Sequence, residues 1–350
     1  MALPFLNSTR KKPDHMLSID LGARTTKAAL VQRKGTAYAL VNYALLDAPI
    51  YEKDPSIELL GEHFKQVAAA IDTKAKFLAL ALGVNESIAR HIEMPKMPPD
   101  DMRMVLKNNS RLYLQQDLRD YVFDAVITSP PAVDAAGKAQ KSRVLVVGMR
   151  QELSKKIQAA AKSAGWVAEN VVPGVIAPMN AFESAMPREF ASDVFALVDI
   201  GFKHTTICLF SQGELIMSRE VAIGGDKFTT GLSEAMNISY AEAESIKIGM
   251  PSEVQNHLEP MVIPLGRELR ASIDFFEHQQ DRALAGIYFA GGSSRSELIL
   301  QIMKQELMMD CRLWNPAAGL QQALSPQKAA ELEHIAPQLA AAIGAALTAL

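Results

Sequence analysis

The amino-acid sequence predicts an α/β protein made of two related lobes, and three observations point there. An apolar run closed by Asp, one apolar residue and Gly occurs twice, as Met16-Leu17-Ser18-Ile19-Asp20-Leu21-Gly22 and as Phe195-Ala196-Leu197-Val198-Asp199-Ile200-Gly201. Each copy carries Thr six residues after its Asp, at Thr26 and Thr205. Around both copies, short apolar runs alternate with segments of helical period, the mark of sheets covered by helices. Finally, Gly291-Gly292-Ser293-Ser294 separates a buried strand from a helix, the place where open α/β sheets take ligands. The copies lie 199 − 20 = 179 residues apart. That is too far for a solenoid unit of ~20 to 50 residues, so the repeat is a duplicated domain.

The elements follow in order. Met16 to Ile19 and Thr26 to Val31 read as strands joined by the tight turn Asp20-Leu21-Gly22-Ala23-Arg24, with Ala37 to Leu45 as a third strand. Ile57, Leu60, Phe64, Val67 and Ile71 recur at spacings of three and four, an amphipathic helix. Phe77 to Leu82 is a continuous apolar run and reads as a buried strand. From about Ile92 to Gly165 the character changes to a small α/β insert with its own sheet. Asp100 and Asp101 start a helix there, Tyr121 to Ile127 and Val144 to Val147 are strands, and Gln151 to Ala164 is a helix stopped by Gly165. Trp166 to Val172 and Gly174 to Ala185 return to the strand-then-helix rhythm. The second copy then opens with strands at Phe195 to Ile200, Thr205 to Phe210 and Leu215 to Val221. Helices follow around Asp226 to Met236, Ala241 to Gly249 and Pro264 to Arg282, and a buried strand at Gly286 to Ala290.

Composition narrows the function classes. At 350 residues, 49% hydrophobic and 21% charged, the chain is ordinary globular protein, and a net charge of −3 argues against a nucleic-acid partner. Two cysteines, Cys208 and Cys311, both in apolar surroundings, make no disulfide framework and fit a reducing compartment. No stretch approaches the ~18 to 20 apolar residues of a membrane span. The N-terminus places apolar residues before its basic cluster, the reverse of a secretory signal, and reads as a flexible lead-in.

The duplicated hairpins suggest phosphate binding. A bend with Gly brings backbone N–H groups close to a ligand, and successive N–H groups form an anion-binding nest. Thr25, Thr26, Thr205 and Thr206 add hydroxyls, and Arg24, Lys27, Lys203 and His204 add positive charge. Asp20 and Asp199 would repel phosphate directly; they fit a role of holding Mg²⁺ through water. Gly291, Gly292 and Ser293 would let an adenosine lie against backbone. Gly224 and Gly225 precede a helix as a second such approach, or serve only as a helix entry. Glu244 and Lys247 share a helix face and are candidates for ribose hydroxyls, or form a surface ion pair. Two facing hairpins would clamp ATP between the lobes.

Together these stretches resemble the actin-like ATPase superfamily, which includes actin, sugar kinases, heat-shock chaperone ATPase domains and FtsA. They are most similar to the PilM family of type IV pilus assembly. That likeness is carried by Ser18-Ile19-Asp20-Leu21-Gly22 with Thr26-Lys27, by Arg90-His91-Ile92-Glu93-Met94-Pro95-Lys96-Met97 and by Glu242-Ala243-Glu244-Ser245-Ile246-Lys247. It continues in Glu268 to Phe276 (Glu-Leu-Arg-Ala-Ser-Ile-Asp-Phe-Phe), in Gly291-Gly292-Ser293 and in Trp314-Asn315-Pro316. The resemblance implies an actin-like ATPase fold with ATP and Mg²⁺ in an interlobe cleft, and an insert in the first lobe placed as in FtsA. It also implies docking of the cytoplasmic N-terminal peptide of a PilN-like inner-membrane protein, so that the membrane is reached only through the partner, at the inner face of the inner membrane. Self-association stays open. The expected division is a lead-in at 1–13, first-lobe core at 14–92, insert at 93–167 and first-lobe core again at 168–193. Second-lobe core follows at 194–224, a helical subdomain at 225–285, second-lobe core at 286–330 and a helix returning to the first lobe at 331–350. The hairpins depart from the family pattern at Ala23-Arg24 and Phe202-Lys203-His204. The expectation is a nucleotide switch with slow or no hydrolysis. The rivals are a scaffold of the same fold that binds no nucleotide, an FtsA-like filament protein and a small-molecule kinase.

Overall fold

The computed structural model describes residues 13–51, 54–83, 86–129 and 141–350; the lead-in expected at 1–13 lies, apart from Pro13, outside them. The chain divides into two compact units. The first comprises residues up to Asn180 with Gln321–Ala323 and Ala341–Leu350; the second comprises Ala181–Leu320 with Leu324–Ala340. Residues 181–193, expected in the first lobe, thus fall in the second unit, as do 331–340, expected with the helix returning to the first.

The first unit opens with β1 (His15–Leu21), β2 (Thr25–Lys34) and β3 (Ala37–Asp47), an antiparallel meander. α1 (Ile57–Ile71) follows, started by the Ser56 side chain accepting from Leu59 N and ended by Asp72 in the left-handed region. β4 (Phe77–Leu82) then pairs parallel to β1. Next come β5 (Ser87–Met94), α2 (Pro99–Leu114), β6 (Tyr121–Ser129), β7 (Ser142–Arg150), α3 (Gln151–Ser163), β8 (Val167–Pro173) and α4 (Ala177–Ala185), the last crossing the unit boundary. The main sheet runs Gln321–Gln322, β3, β2, β1, β4, β8. Leu17, Ile19, Leu78 and Leu80 from this sheet close a core with Phe64 and Val67 of α1 and with Leu153 and Ile157 of α3.

A separate sheet in the order β5-β7-β6 forms the insert, with Met102 and Leu106 of α2 packed on Val144 and Val146. Its limits differ from the expected 93–167. β5 starts it at Ser87, and α3 with Trp166 belongs to the main core instead. β5 escaped sequence reading because Ser87, Arg90, His91 and Glu93 interrupt its apolar pattern.

The second unit begins with α5 (Pro187–Ser192) and repeats the meander as β9 (Val194–Ile200), β10 (Thr205–Ser211) and β11 (Glu214–Val221). α6 (Gly225–Met236), α7 (Tyr240–Gly249) and α8 (Gln255–Gln280) follow, then β12 (Gly286–Ala290), α9 (Glu297–Leu307), β13 (Cys311–Leu313) and α10 (Pro326–Ile335). Its sheet runs β11-β10-β9-β12-β13. The order matches β3-β2-β1-β4-β8, so both hairpins sit at the same place in equivalent sheets. α8 starts nine residues earlier than the sequence suggests, since Pro260 and Pro264 lie inside it while Leu258, Val262 and Leu265 continue its buried stripe. Among the described residues, no helix is long and apolar enough to cross a membrane.

Candidate functional site

In the first unit, the β1–β2 register sets Asp20 opposite Lys27, and Lys27 Nζ donates to Asp20 Oδ2 at 2.9 Å. Both side chains are largely buried, at 16% and 14% exposure, so the pair is shielded from solvent. A Cβ on Gly22 would lie 2.6 Å from Lys27 Nζ and 2.6 Å from the Thr25 carbonyl oxygen, which keeps the turn bare. Thr26 is fully buried and its hydroxyl lies 2.8 Å from His63 Nε2 on α1. Burial pushes the basicity of His63 down, offset in part by a hydrogen bond that its ring donates to Gln66. Thr26 therefore anchors the hairpin to α1 and does not face outward as a phosphate donor, while Arg24 is exposed and Thr25 half-buried.

The second unit brings more of the candidate residues together. Gly201 N donates to the His204 carbonyl at 3.0 Å and closes the β9–β10 bend. Gly225 N donates to the Gly201 carbonyl at 3.0 Å, and Ser293 Oγ donates to the same oxygen at 3.1 Å. Three loops separated by 24 to 92 residues thus meet at one backbone carbonyl. The approach leaves no room for side chains. A Cβ on Gly224 would lie 2.4 Å from the Phe202 carbonyl oxygen, and one on Gly291 2.3 Å from Asp199 Oδ1. Gly291 also sits at φ +91°, in the region glycine favours. Gly292 is exposed. Thr205, like Thr26, is fully buried, and its hydroxyl donates to the Ile223 carbonyl at 2.7 Å, holding the strand end that leads into Gly224.

The positive groups of this hairpin have partners. Lys203 Nζ donates to Asp226 Oδ2 at 2.6 Å, and His204 Nδ1 lies 3.5 Å from Glu220 Oε1. Burial acts to raise the Asp226 carboxyl, but hydrogen bonds from Lys203 and Tyr240 outweigh it and hold the group below its ordinary value. Glu244 and Lys247 prove to be largely buried rather than a surface pair, at 14% and 10% side-chain exposure. Lys247 Nζ donates to Glu244 Oε2 at 2.7 Å, to Thr229 Oγ1 at 2.5 Å and to the Gly225 carbonyl at 3.4 Å. All three ammonium protons are thereby placed, so Lys247 fixes Glu244 against the Gly225 loop. Sequence reading missed Asp226, Tyr240, Thr229 and His63. Asp226 had a readable signal, an acidic residue in the first turn of a helix directly after a Gly pair. Cys208 is buried and its thiol is pushed up to about 12 by burial and by Asp199, in line with an inert thiol.

The first unit also holds an apolar crevice walled by Leu21, Leu60, Leu82, Leu153 and Ile157, with Tyr51 and Glu86 at its rim. Burial, and then the charges of Glu86 and Asp54, raise the Tyr51 hydroxyl above its usual value. Beside it Arg150 pairs with Asp54.

A family profile described as Type IV pilus assembly protein PilM matches residues 18–350. The chain belongs to the PilM family. PilM-family membership accords with the solved structures it resembles. A structure titled PilM-PilN type IV pilus biogenesis complex matches with a TM-score of 0.83 and 23% identity, covering 97% of this chain and 99% of that one. Ethanolamine utilization protein EutJ from Carboxydothermus hydrogenoformans matches with a TM-score of 0.58 and 14% identity, covering 99% and 92%. Cell division protein FtsA of Bacillus subtilis (strain 168) is 34% identical over 70 residues, which is 20% of this chain and only 16% of that protein. The fold is that of the actin-like ATPases, as the duplicated hairpins led one to expect.

Proposed function

We propose that this protein is a cytoplasmic component of type IV pilus assembly that binds ATP with Mg²⁺ as a conformational switch. In this reading it docks the cytoplasmic N-terminal peptide of a PilN-like inner-membrane protein, which keeps it at the inner face of that membrane. The observation that carries the nucleotide half is the meeting of Gly201, Gly225 and Ser293 at one carbonyl, where added Cβ atoms at Gly224 and Gly291 would collide. Three backbone segments packed this closely, with no side chain between them, suit a nucleotide laid against their outer edge. Asp199 would hold Mg²⁺ through water, with Glu244 turned to the ribose. ATP binding biases one conformation, and that conformation sets affinity for the partner. Hydrolysis is slow or absent in this reading. The partner half rests on the family.

The test is equilibrium dialysis with ATP and Mg²⁺, paired with a pull-down of a PilN-like tail peptide with and without ATP. Retained ATP, weakened at least about tenfold by Asp199→Ala, and peptide capture that changes with ATP support the reading. ATP that is not retained, with peptide capture indifferent to it, refutes the switch. One feature favours a second reading, a scaffold without nucleotide: Asp20 is already neutralised by Lys27.

A further inference from the structure

We propose that Lys203 is a latch released by phosphate: it holds Asp226 in the absence of nucleotide and transfers to the phosphate chain when nucleotide binds. The inference rests on the nucleotide reading above and adds the regulation of that site. Its basis is the way one carboxylate joins three elements. Asp226 lies in the first turn of α6, and its backbone N–H donates to the Phe202 carbonyl at the hairpin bend at 2.9 Å. Its Oδ2 accepts from Lys203 of the same bend at 2.6 Å, and its Oδ1 accepts from the Tyr240 hydroxyl, the first residue of α7, at 2.9 Å. One turn further along α7 lies Glu244, which with Lys247 grips Thr229 and the Gly225 loop. The Asp226 carboxylate therefore bridges the hairpin, the start of α6 and the start of α7, alongside the backbone bonds that join the hairpin to α6.

A polyphosphate arriving over Gly201, Gly224 and Gly225 brings several negative charges to the place this carboxylate serves. Both are anions at the start of α6, where the helix dipole favours negative charge although its first backbone N–H groups already donate to the Gly201, Phe202 and Gly224 carbonyls. Asp226 and phosphate then repel each other and compete for Lys203. The competition favours phosphate, since Lys203 is 52% exposed and leaves an ion pair already weakened by solvent. Its Nζ also lies 5.2 Å from the centre of the Phe202 ring, so the side chain stays against the hairpin on either partner. Once Lys203 transfers, Asp226 keeps Tyr240 and its backbone bond to the Phe202 carbonyl, so α7 loses one of its ties to the hairpin and the others remain. The ligand class is a nucleoside di- or triphosphate; a monophosphate supplies too little charge to draw the lysine away.

The experiment measures ATP and AMP affinity by equilibrium dialysis for the wild type, Lys203→Met and Asp226→Asn, with circular dichroism to verify folding. Loss of a charge-assisted phosphate contact weakens ATP binding about tenfold in Lys203→Met and leaves AMP unchanged. Removing the competing carboxylate in Asp226→Asn tightens ATP binding, by up to about fivefold for a partly exposed pair. The opposite signs are the signature. If the ion pair merely staples the hairpin to α6, both variants weaken ATP and AMP alike, and the latch is overturned while the nucleotide reading stands. Unaltered ATP binding in Lys203→Met overturns it too. If neither the wild type nor Asp226→Asn retains ATP, the nucleotide reading fails and the latch with it.

Discussion

A Gly291→Ala substitution places a methyl group where the second hairpin leaves no room. The new Cβ would lie 2.3 Å from Asp199 Oδ1 and 2.5 Å from the Ile200 carbonyl oxygen. The carboxylate can rotate away, but Ile200 is fully buried backbone in β9 and cannot. Gly291 itself is pinned, its N–H donating to the Pro337 carbonyl at 2.9 Å and its carbonyl accepting from Ser294 Oγ at 2.8 Å. A non-glycine residue at φ +91° costs ~1 to 3 kcal/mol, and the forced shift of β9 about as much again. The sum, about 2 to 6 kcal/mol, is a large part of a domain's stability of ~5 to 15 kcal/mol. Gly292 is the control. Its φ is −64° and an added Cβ meets nothing nearer than Gln338 Oε1 at 3.5 Å, so Gly292→Ala should stay within about 0.5 kcal/mol of the wild type. The assay is urea unfolding in a Trp166→Phe background, which leaves Trp314 as the fluorescent reporter of the second unit. Equal midpoints for the two alanine variants would refute the close approach at Gly291, and with it the argument that the meeting of these loops excludes side chains.

Two further outcomes follow from buried charge in the insert. Both ring nitrogens of His91 are buried without a hydrogen-bond partner, and burial, reinforced by the charge of Arg143, pushes its pKa down to about 4. A folded value below the unfolded ~6.5 means that the unfolded chain binds the proton first, so the stability is present above ~6.5 and lost as pH falls towards 4. The loss between pH 7 and 5 is about 2 kcal/mol; thermal melts should show it, and His91→Phe should flatten the slope. His63 titrates in the same direction and leaves a residue of pH dependence in that variant. Arg103→Ala removes the guanidinium that donates to Asp124 Oδ1 at 2.7 Å. Asp124 has 4% side-chain exposure, so the stranded carboxylate should destabilise the insert by about 2 to 4 kcal/mol, read as a lower melting temperature.

Much of the fold could be read from the sequence because its strands are short apolar runs cut by Asp-x-Gly bends. β9 and β12 start and end within a residue of the expected limits. The same signal fails where polar residues break the run, as in β5, or where two prolines sit inside a helix, as in α8. At the site, the glycines were legible because only close backbone approach explains them in pairs. The threonines were misjudged for a reason that strand periodicity could have supplied. Thr26 shares its face of β2 with Ala28 and Leu30, both in the core, so its hydroxyl had to point inward. Pairings across distant loops, such as Lys203 with Asp226 or Thr26 with His63, have no periodic trace and emerge only from the folded chain.

The register of the two hairpins bears on how the copies have been free to diverge. Asp20 faces Lys27 and Asp199 faces Thr206, seven residues on in each case, and the bends between them have kept one length. Inserting a single residue would turn every later side chain of the strand to the opposite face and empty the core behind it. Change has therefore entered by exchange of side chains at fixed positions. One copy carries an ammonium directly across from its aspartate; the other has a neutral hydroxyl there and carries its lysine at the tip. The scaffold has stayed symmetric while the charge upon it has become lopsided, which gives two halves of common descent separate electrostatic duties.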